Sequence, residues 1–308
     1  MRIRRFIMED GLASYKDSCR YDLGESGLPD ITVGELLDRC GLAPDARAGI
    51  VLKDHDTRGT DRLRNAILAT YTPPVAFDNI TVTTGTSEAL FILFNILSND
   101  RRSVVVPRPA FQALTDVPAA LGLELRAYHL RASNGWMPDP DEICPLIDDS
   151  TPAVLINTPH NPSGVFCPND TANAIIRKAA RHGAYVIADE HYRFLPMDVP
   201  APAASLASPD ENVVAVGSIT KCFGVIGLRM GWIVASAALI GKIRDFRDSL
   251  THTLSPVSDF LAASALEHAE RFTEPARARL RQNREALVSF AEDVPGISVV
   301  PPEGGVVA

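Results

Sequence analysis

The chain has 308 residues and a mass of 33.3 kDa, enough for one large core with a smaller one beside it. Hydrophobic residues make up 46% and charged residues 22%, as in ordinary globular proteins, and a net charge of −8 with a pI near 5.4 argues against nucleic acid as a partner. No stretch approaches the roughly 20 apolar residues of a membrane span, and MRIRRFIMED at the start lacks the apolar run of a signal peptide, so a soluble, cytoplasmic protein is expected.

From about residue 58 the pattern alternates between helical runs and short apolar strands. The spacing predicts a helix over 60–70 (TDRLRNAILAT), stopped by Pro73-Pro74. A strand at 80–84 (ITVTT) then meets Gly85-Thr86-Ser87, and an apolar helix (EALFILFNIL) follows. Further strands are predicted at 103–106, 153–157, 184–188, 213–217 and 231–235, with helical periodicity between several of them, as at 171–182. Apolar strands of this length separated by helices indicate an α/β protein whose mostly parallel sheet is covered on both faces, an α/β/α sandwich. Residues before about 50 and after about 250 lack the alternation. A large domain over 46–250 is therefore expected, with a smaller α+β lobe built from 1–45 and 251–308.

Ligands of such sheets bind at the carboxyl ends of the strands. The polar residues that fall there are Thr86 and Ser87, Asn161, Asp189 with Tyr192, and Ser218 with Lys221. Each has an ordinary explanation when taken alone. Thr86 and Ser87 suit a helix cap as well as an anion cradle, and Pro159-His160-Asn161-Pro162-Ser163-Gly164 is first of all a turn. Asp189 would serve as a helix cap or as an acceptor for a ring N–H. Lys221 is one of only five lysines, the others being Lys16, Lys53, Lys178 and Lys242, against 25 arginines. An isolated lysine is ordinarily a solvated surface charge, yet this one follows a buried-type strand and precedes Phe223, Gly224, Gly227 and Arg229. The five cysteines show no metal-ligand or disulfide spacing, which fits a reducing compartment and no metal.

The ordered set Asn161, Asp189, Tyr192, Ser218-x-x-Lys221 and Arg229 resembles the fold-type I pyridoxal 5′-phosphate (PLP) enzymes, specifically the class I/II aminotransferases. The resemblance runs from about residue 20 to the C-terminus and implies an aminotransferase acting at the α-carbon of an amino acid. It implies that Lys221 carries PLP as a Schiff base and later moves a proton, and that Asp189 keeps the pyridine nitrogen protonated. It also implies that Asn161 and Tyr192 bond the phenolic oxygen and Phe111 stacks on the ring. Thr86, Ser87, Ser218 and the fork of Arg229 would then hold the phosphate. A homodimer is implied as well, because the family's site lies at a subunit boundary.

Two stretches depart from the family pattern. The family has a tyrosine shortly before the glycine matched by Gly59; here LKDHDTRGTDRLR puts Asp54 or His55 in its place. With TPHNPSG and DLGESGLPDITVGEL, this resembles the narrower group of capreomycidine and enduracididine synthases, which cyclise hydroxylated arginines. In that reading Glu25, Asp30, Asp54 or Asp56 would face a guanidinium. The second departure is the ending PPEGGVVA, which resembles the first strand of the family's C-terminal small domain. The arginine that grips the substrate's carboxylate lies beyond that strand, so the small lobe is expected to be incomplete and Arg193 is a candidate substitute. Reduced stability and turnover, down to a PLP-binding fragment, are the expectation for such a chain. Two other classes stand against the main one. A PLP-binding regulator would carry a basic DNA-binding module, and a nucleotide-binding protein would carry GxGxxG or a P-loop; neither feature is found.

Overall fold

The computed structural model describes residues 4–15, 18–98, 100–208 and 212–308. Two helices come first, α1 (Ile7–Tyr15) and α2 (Val33–Cys40), then α3 (Asp61–Leu68). The sheet strands and their connections follow as β1 (Ile80–Thr83), α4 (Thr86–Ser98), β2 (Ser103–Arg108), α5 (Ala113–Ala120), β3 (Glu124–His129), α6 (Pro140–Ile143), β4 (Ala153–Asn157), α7 (Asn169–Arg181), β5 (Tyr185–Asp189), β6 (Val213–Ser218) and β7 (Gly231–Val234). Three helices close the chain, α8 (Ala237–Asp248), α9 (Pro256–Glu267) and α10 (Ala269–Asp293).

The seven strands form one sheet in the order β1-β7-β6-β5-β4-β2-β3. All neighbours are parallel except β7, which runs antiparallel to both β1 and β6. Because β7 is reversed, its first residues sit at the same sheet edge as the last residues of β1, β4, β5 and β6. Asn157 pairs with Asp189, and Gly231 pairs with both Ser218 and Thr83. That single edge is where the candidate residues converge.

Alternation along the strands assigns the two faces. Val104, Val106, Leu155, Ile187, Val214, Val216 and Ile233 point to the layer formed with α4 and α8. Their neighbours Val105, Val154, Ile156 and Val186 point to the opposite layer with α7. On that side the β1 end is covered differently: Val82, Ala215, Trp232 and Val234 join Leu36 and Leu37 of α2, Leu63 and Ile67 of α3, Leu261 and Leu266 of α9, and Phe272 of α10. Each such aliphatic side chain is worth about 1.5–3 kcal/mol when fully buried. One continuous apolar cluster thus ties both chain ends to the sheet.

The strands predicted from the sequence all form, within one or two residues. The strand that escaped prediction is β3, whose ELRAYH mixes charged and apolar residues because it lies at the sheet edge, half covered.

Candidate active site

Between β1 and α4 lies Gly85, whose φ of +91° an L-residue rarely adopts; a Cβ there would lie 2.9 Å from Arg229 Nη2. The missing side chain lets the guanidinium approach the first turn of α4, where Thr86 and Ser87 stand with free helix N–H groups. Three of the expected phosphate ligands are therefore together. Glu88 braces the turn from behind, its carboxylate accepting from the N–H and the hydroxyl of Thr84.

Asp189 ends β5 and is 6% exposed. Among the described residues its carboxylate accepts one side-chain-directed bond, from the His191 N–H at 3.3 Å. Burial pushes its pKa up to about 7, that backbone bond opposes the rise, and the nearby Glu190 adds to it. No cation pairs with it among the described residues. A buried carboxyl without a cation is costly, and a ring N–H⁺ is the kind of group that completes it. Tyr192 shares the wall; burial raises its phenol well above the ordinary value, and its hydroxyl donates to Ser26 O at 2.6 Å.

Asn161 lies on the turn after β4. Its N–H donates to Asn157 Oδ1 at 2.6 Å, and Asn157 Nδ2 donates to Asp189 O at 3.0 Å, so the two strand ends and the turn are locked together. Phe111 faces the pocket beside Phe6, with ring centroids 5.5 Å apart. Lys221 follows β6 on a turn anchored by buried Ile219, Cys222 and Phe223. Its side chain is 19% exposed and its Nζ lies 3.2 Å from Glu25 Oε1.

The pocket wall contains Gly85, Thr86, Ser87, Phe111, Asn161, Asp189, Tyr192, Lys221 and Arg229, so all but one of the expected residues meet. Ser218 does not line it. Its hydroxyl donates to Met230 O at 2.8 Å and accepts from the Thr220 N–H at 3.0 Å. Thr220 stands on the wall instead, because Ser218 still belongs to β6 and its side chain points into the packed layer.

Contrary to expectation, Arg193, Asp56 and Asp30 do not reach the pocket. Arg193 is 2% exposed and turned away from the pocket: it donates to Thr70 O at 2.8 Å, stacks over Tyr71 at 4.3 Å and pairs with Glu190 at 3.4 Å. It follows Tyr192 in a tight turn, so the two side chains leave on opposite sides. Asp56 is taken by Arg58, which holds its carboxyl down to about 2. Asp30 is likewise off the wall, while Asp54 is exposed and accepts from Thr253 Oγ1 at 3.3 Å.

Sequence reasoning missed Asn157, Thr220 and His191, which flank recognised motif positions, and also Phe6, Glu9 and Ser26, which do not. The latter reach the site because the N-terminal segment lies across it. Ile7 N–H donates to Gln112 Oε1 at 3.1 Å and Gln112 Nε2 returns a bond to Arg5 O at 2.9 Å. Further along, Leu28 N–H donates to Lys221 O and Ile31 N–H to Gly224 O, both at 2.9 Å. Gly224 has φ +68°, and a Cβ would meet Pro29 O at 2.3 Å. Gly224→Ala is therefore expected to cost about 2–3 kcal/mol from left-handed strain and the clash, read as a lower urea midpoint. An unchanged midpoint would show that the strap shifts freely.

Fold and site together define a PLP-dependent enzyme on the fold-type I scaffold. Residues 46–308 match the family Aminotransferase class I and II, and the chain belongs to it. It is 33% identical over 305 residues to the capreomycidine synthase of Streptomyces vinaceus, covering 98% of this chain and 78% of that protein. It is 28% identical over 255 residues to the arginine–pyruvate transaminase AruH of Pseudomonas aeruginosa, covering 81% of this chain and 65% of that one, just under two thirds. Among solved structures, the PLP-dependent cyclase OrfR superposes with a TM-score of 0.87 at 28% identity, over 99% of this chain and 80% of that one. A PLP-dependent aminotransferase from Streptococcus suis does so with 0.87 at 27%, over 98% and 81%.

Proposed function

We propose that this enzyme bonds the aldehyde carbon of PLP through Lys221 Nζ and transfers the amino group of an arginine-like amino acid. The observation that carries the reading is the buried Asp189 carboxyl, raised to about 7 and facing the same pocket as Lys221, Arg229 and the α4 N-terminus. Thr86, Ser87 and Arg229 would take the phosphate, with Ser218 holding Thr220 in place behind them. Phe111 would cover the ring, and Asn161 and Tyr192 would bond the phenolic oxygen. When bound, the cofactor supplies a sink for the electron pair left at Cα. Asp189 would keep the ring nitrogen protonated so that the sink works. Lys221, displaced by the substrate's amine, would then carry the Cα proton.

An arginine-type substrate is supported by the acids at the pocket: Glu9 on its wall and Glu25 beside Lys221, and by the likeness to a capreomycidine synthase and an arginine–pyruvate transaminase. The 33% identity to a capreomycidine synthase favours, as a second reading, ring closure of a hydroxylated arginine on the same residues. Two further readings are proposed. Homodimerisation would cover the exposed apolar Val51, Leu52 and Leu250. A cytoplasmic location accords with cysteines that form no disulfide and with the lack of any membrane-crossing helix among the described residues.

Borohydride reduction of the yellow protein followed by peptide mapping tests the core of this. Label at Lys221 is expected; label elsewhere, or none, overturns it. Supplying arginine and a hydroxylated arginine separates the readings by product, an oxo acid for amino transfer and a ring for cyclisation. Glu9→Gln is expected to raise KM for arginine about tenfold through loss of one charge-assisted bond, with little change for an apolar donor. An equal effect on both donors would remove Glu9 from substrate recognition.

A further inference from the structure

His191 sits inside the Asp189–Tyr192 motif, and its imidazole lines the pocket together with Lys221 and Arg229. Its main chain is fixed at both ends. The N–H donates to Asp189 Oδ1 at 3.3 Å, and the carbonyl accepts from Cys222 Sγ at 3.2 Å. The ring stands edge-on to Tyr192, with centroids 5.4 Å apart and planes at 90°. Among the described residues no group hydrogen-bonds either ring nitrogen, although the other polar side chains around it, Tyr192, Lys221 and Arg229, all have partners. The ring is thus held in place on the wall of a pocket, part-exposed, with its nitrogens open to a ligand.

The electrostatics define what kind of contact it makes. Burial, then the charges of Lys221 and Arg229, push the imidazole down to about 3, so at neutral pH it is uncharged. It then has one N–H to donate and one lone pair to accept with. We infer that His191 is a further cofactor-contacting residue, a neutral imidazole whose single N–H bonds a PLP oxygen on the wall between Lys221 and Arg229. The inference rests on the proposal that PLP is held at Lys221. It assigns His191 a role separate from the phosphate clamp, since a neutral donor orients an oxygen without adding to the positive charge already supplied there. A third cation beside Lys221 and Arg229 would repel both.

The test uses the whole chain and pyridoxal 5′-phosphate itself. Its dissociation constant is measured by equilibrium dialysis for the parent and for His191→Phe, His191→Asn and His191→Gln. The phenylalanine keeps a flat ring and removes the N–H; the amides return an N–H near the Nδ1 or the Nε2 position. His191→Phe is expected to bind about tenfold more weakly and to shift the cofactor's near-visible band. One of the two amides is expected to recover affinity to within about threefold. Parent-like affinity and spectrum in His191→Phe would overturn the inference, and so would failure of both amides in variants whose circular dichroism and unfolding midpoint match the parent. Borohydride labelling of Lys221 in the parent keeps the two ideas distinguishable: if the label is present and His191→Phe binds normally, the His191 role falls and the cofactor assignment stands.

Discussion

Lys221→Ala is expected to be colourless with PLP added and to lose turnover by at least about 10³-fold, because the substitution removes both the covalent anchor and the group that moves the Cα proton. The fold should survive it. Lys221 is partly exposed and its pairing with Glu25 is partly solvated, so that ion pair contributes little to stability. The unfolding midpoint of the variant should therefore match that of the cofactor-free parent. Lys221→Arg sharpens the experiment: it keeps a cation near Glu25 but offers no amine that condenses with an aldehyde at neutral pH. Both variants must lack the borohydride-stable label. A yellow, labelled Lys221→Ala protein would sink the assignment outright.

Asp189→Asn should move stability and activity in opposite directions. In the folded cofactor-free protein the carboxyl is raised to about 7 by burial, whereas in the unfolded chain it ionises near pH 4. Between these values the folded state binds a proton that the unfolded state has lost, so stability falls as pH rises. The contribution is fully present below about pH 4 and lost through pH 7, a difference on the order of 4 kcal/mol for a shift of about three units. Asparagine has no such proton. Denaturant titrations of the cofactor-free proteins should give Asp189→Asn a flatter pH profile and the higher midpoint at pH 8. Turnover should meanwhile drop by about 10²–10³-fold, because no carboxylate holds the ring nitrogen protonated as charge develops. Equal pH profiles for parent and variant would show that Asp189 is ionised and paired in the folded protein. The expected difference would make Asp189 one more case of a group that destabilises the empty fold and is retained for function.

The strands and the motif positions were readable from residue order for a local reason. Short apolar runs such as AVLIN and VVAVG, recurring between helical stretches, suit strands buried on both faces, and a strand's carboxyl end is where its loop begins. Asn161, Asp189, Tyr192 and Lys221 therefore fall near one edge on residue order alone. β3 was not readable, since an edge strand carries polar residues that mask its period. The reversal of β7 was not readable either, because strand direction is set by pairing between residues far apart in the chain.

Finer assignments turned on which way a side chain leaves the backbone. Ser218 and Thr220 are two residues apart in one motif, and Tyr192 and Arg193 are adjacent. In each pair one residue reaches the pocket and the other is spent elsewhere. Phe6, Glu9 and Ser26 carry no local signature at all; they belong to the site because hydrogen bonds to Gln112, Lys221 and Gly224 lay the N-terminal segment across it. Residue order alone thus reaches the scaffold and the motif positions on which the proposed cofactor lysine depends, because these rest on short-range patterns. The substrate-facing half comes from contacts across a hundred residues or more, and those exist only once the chain has folded.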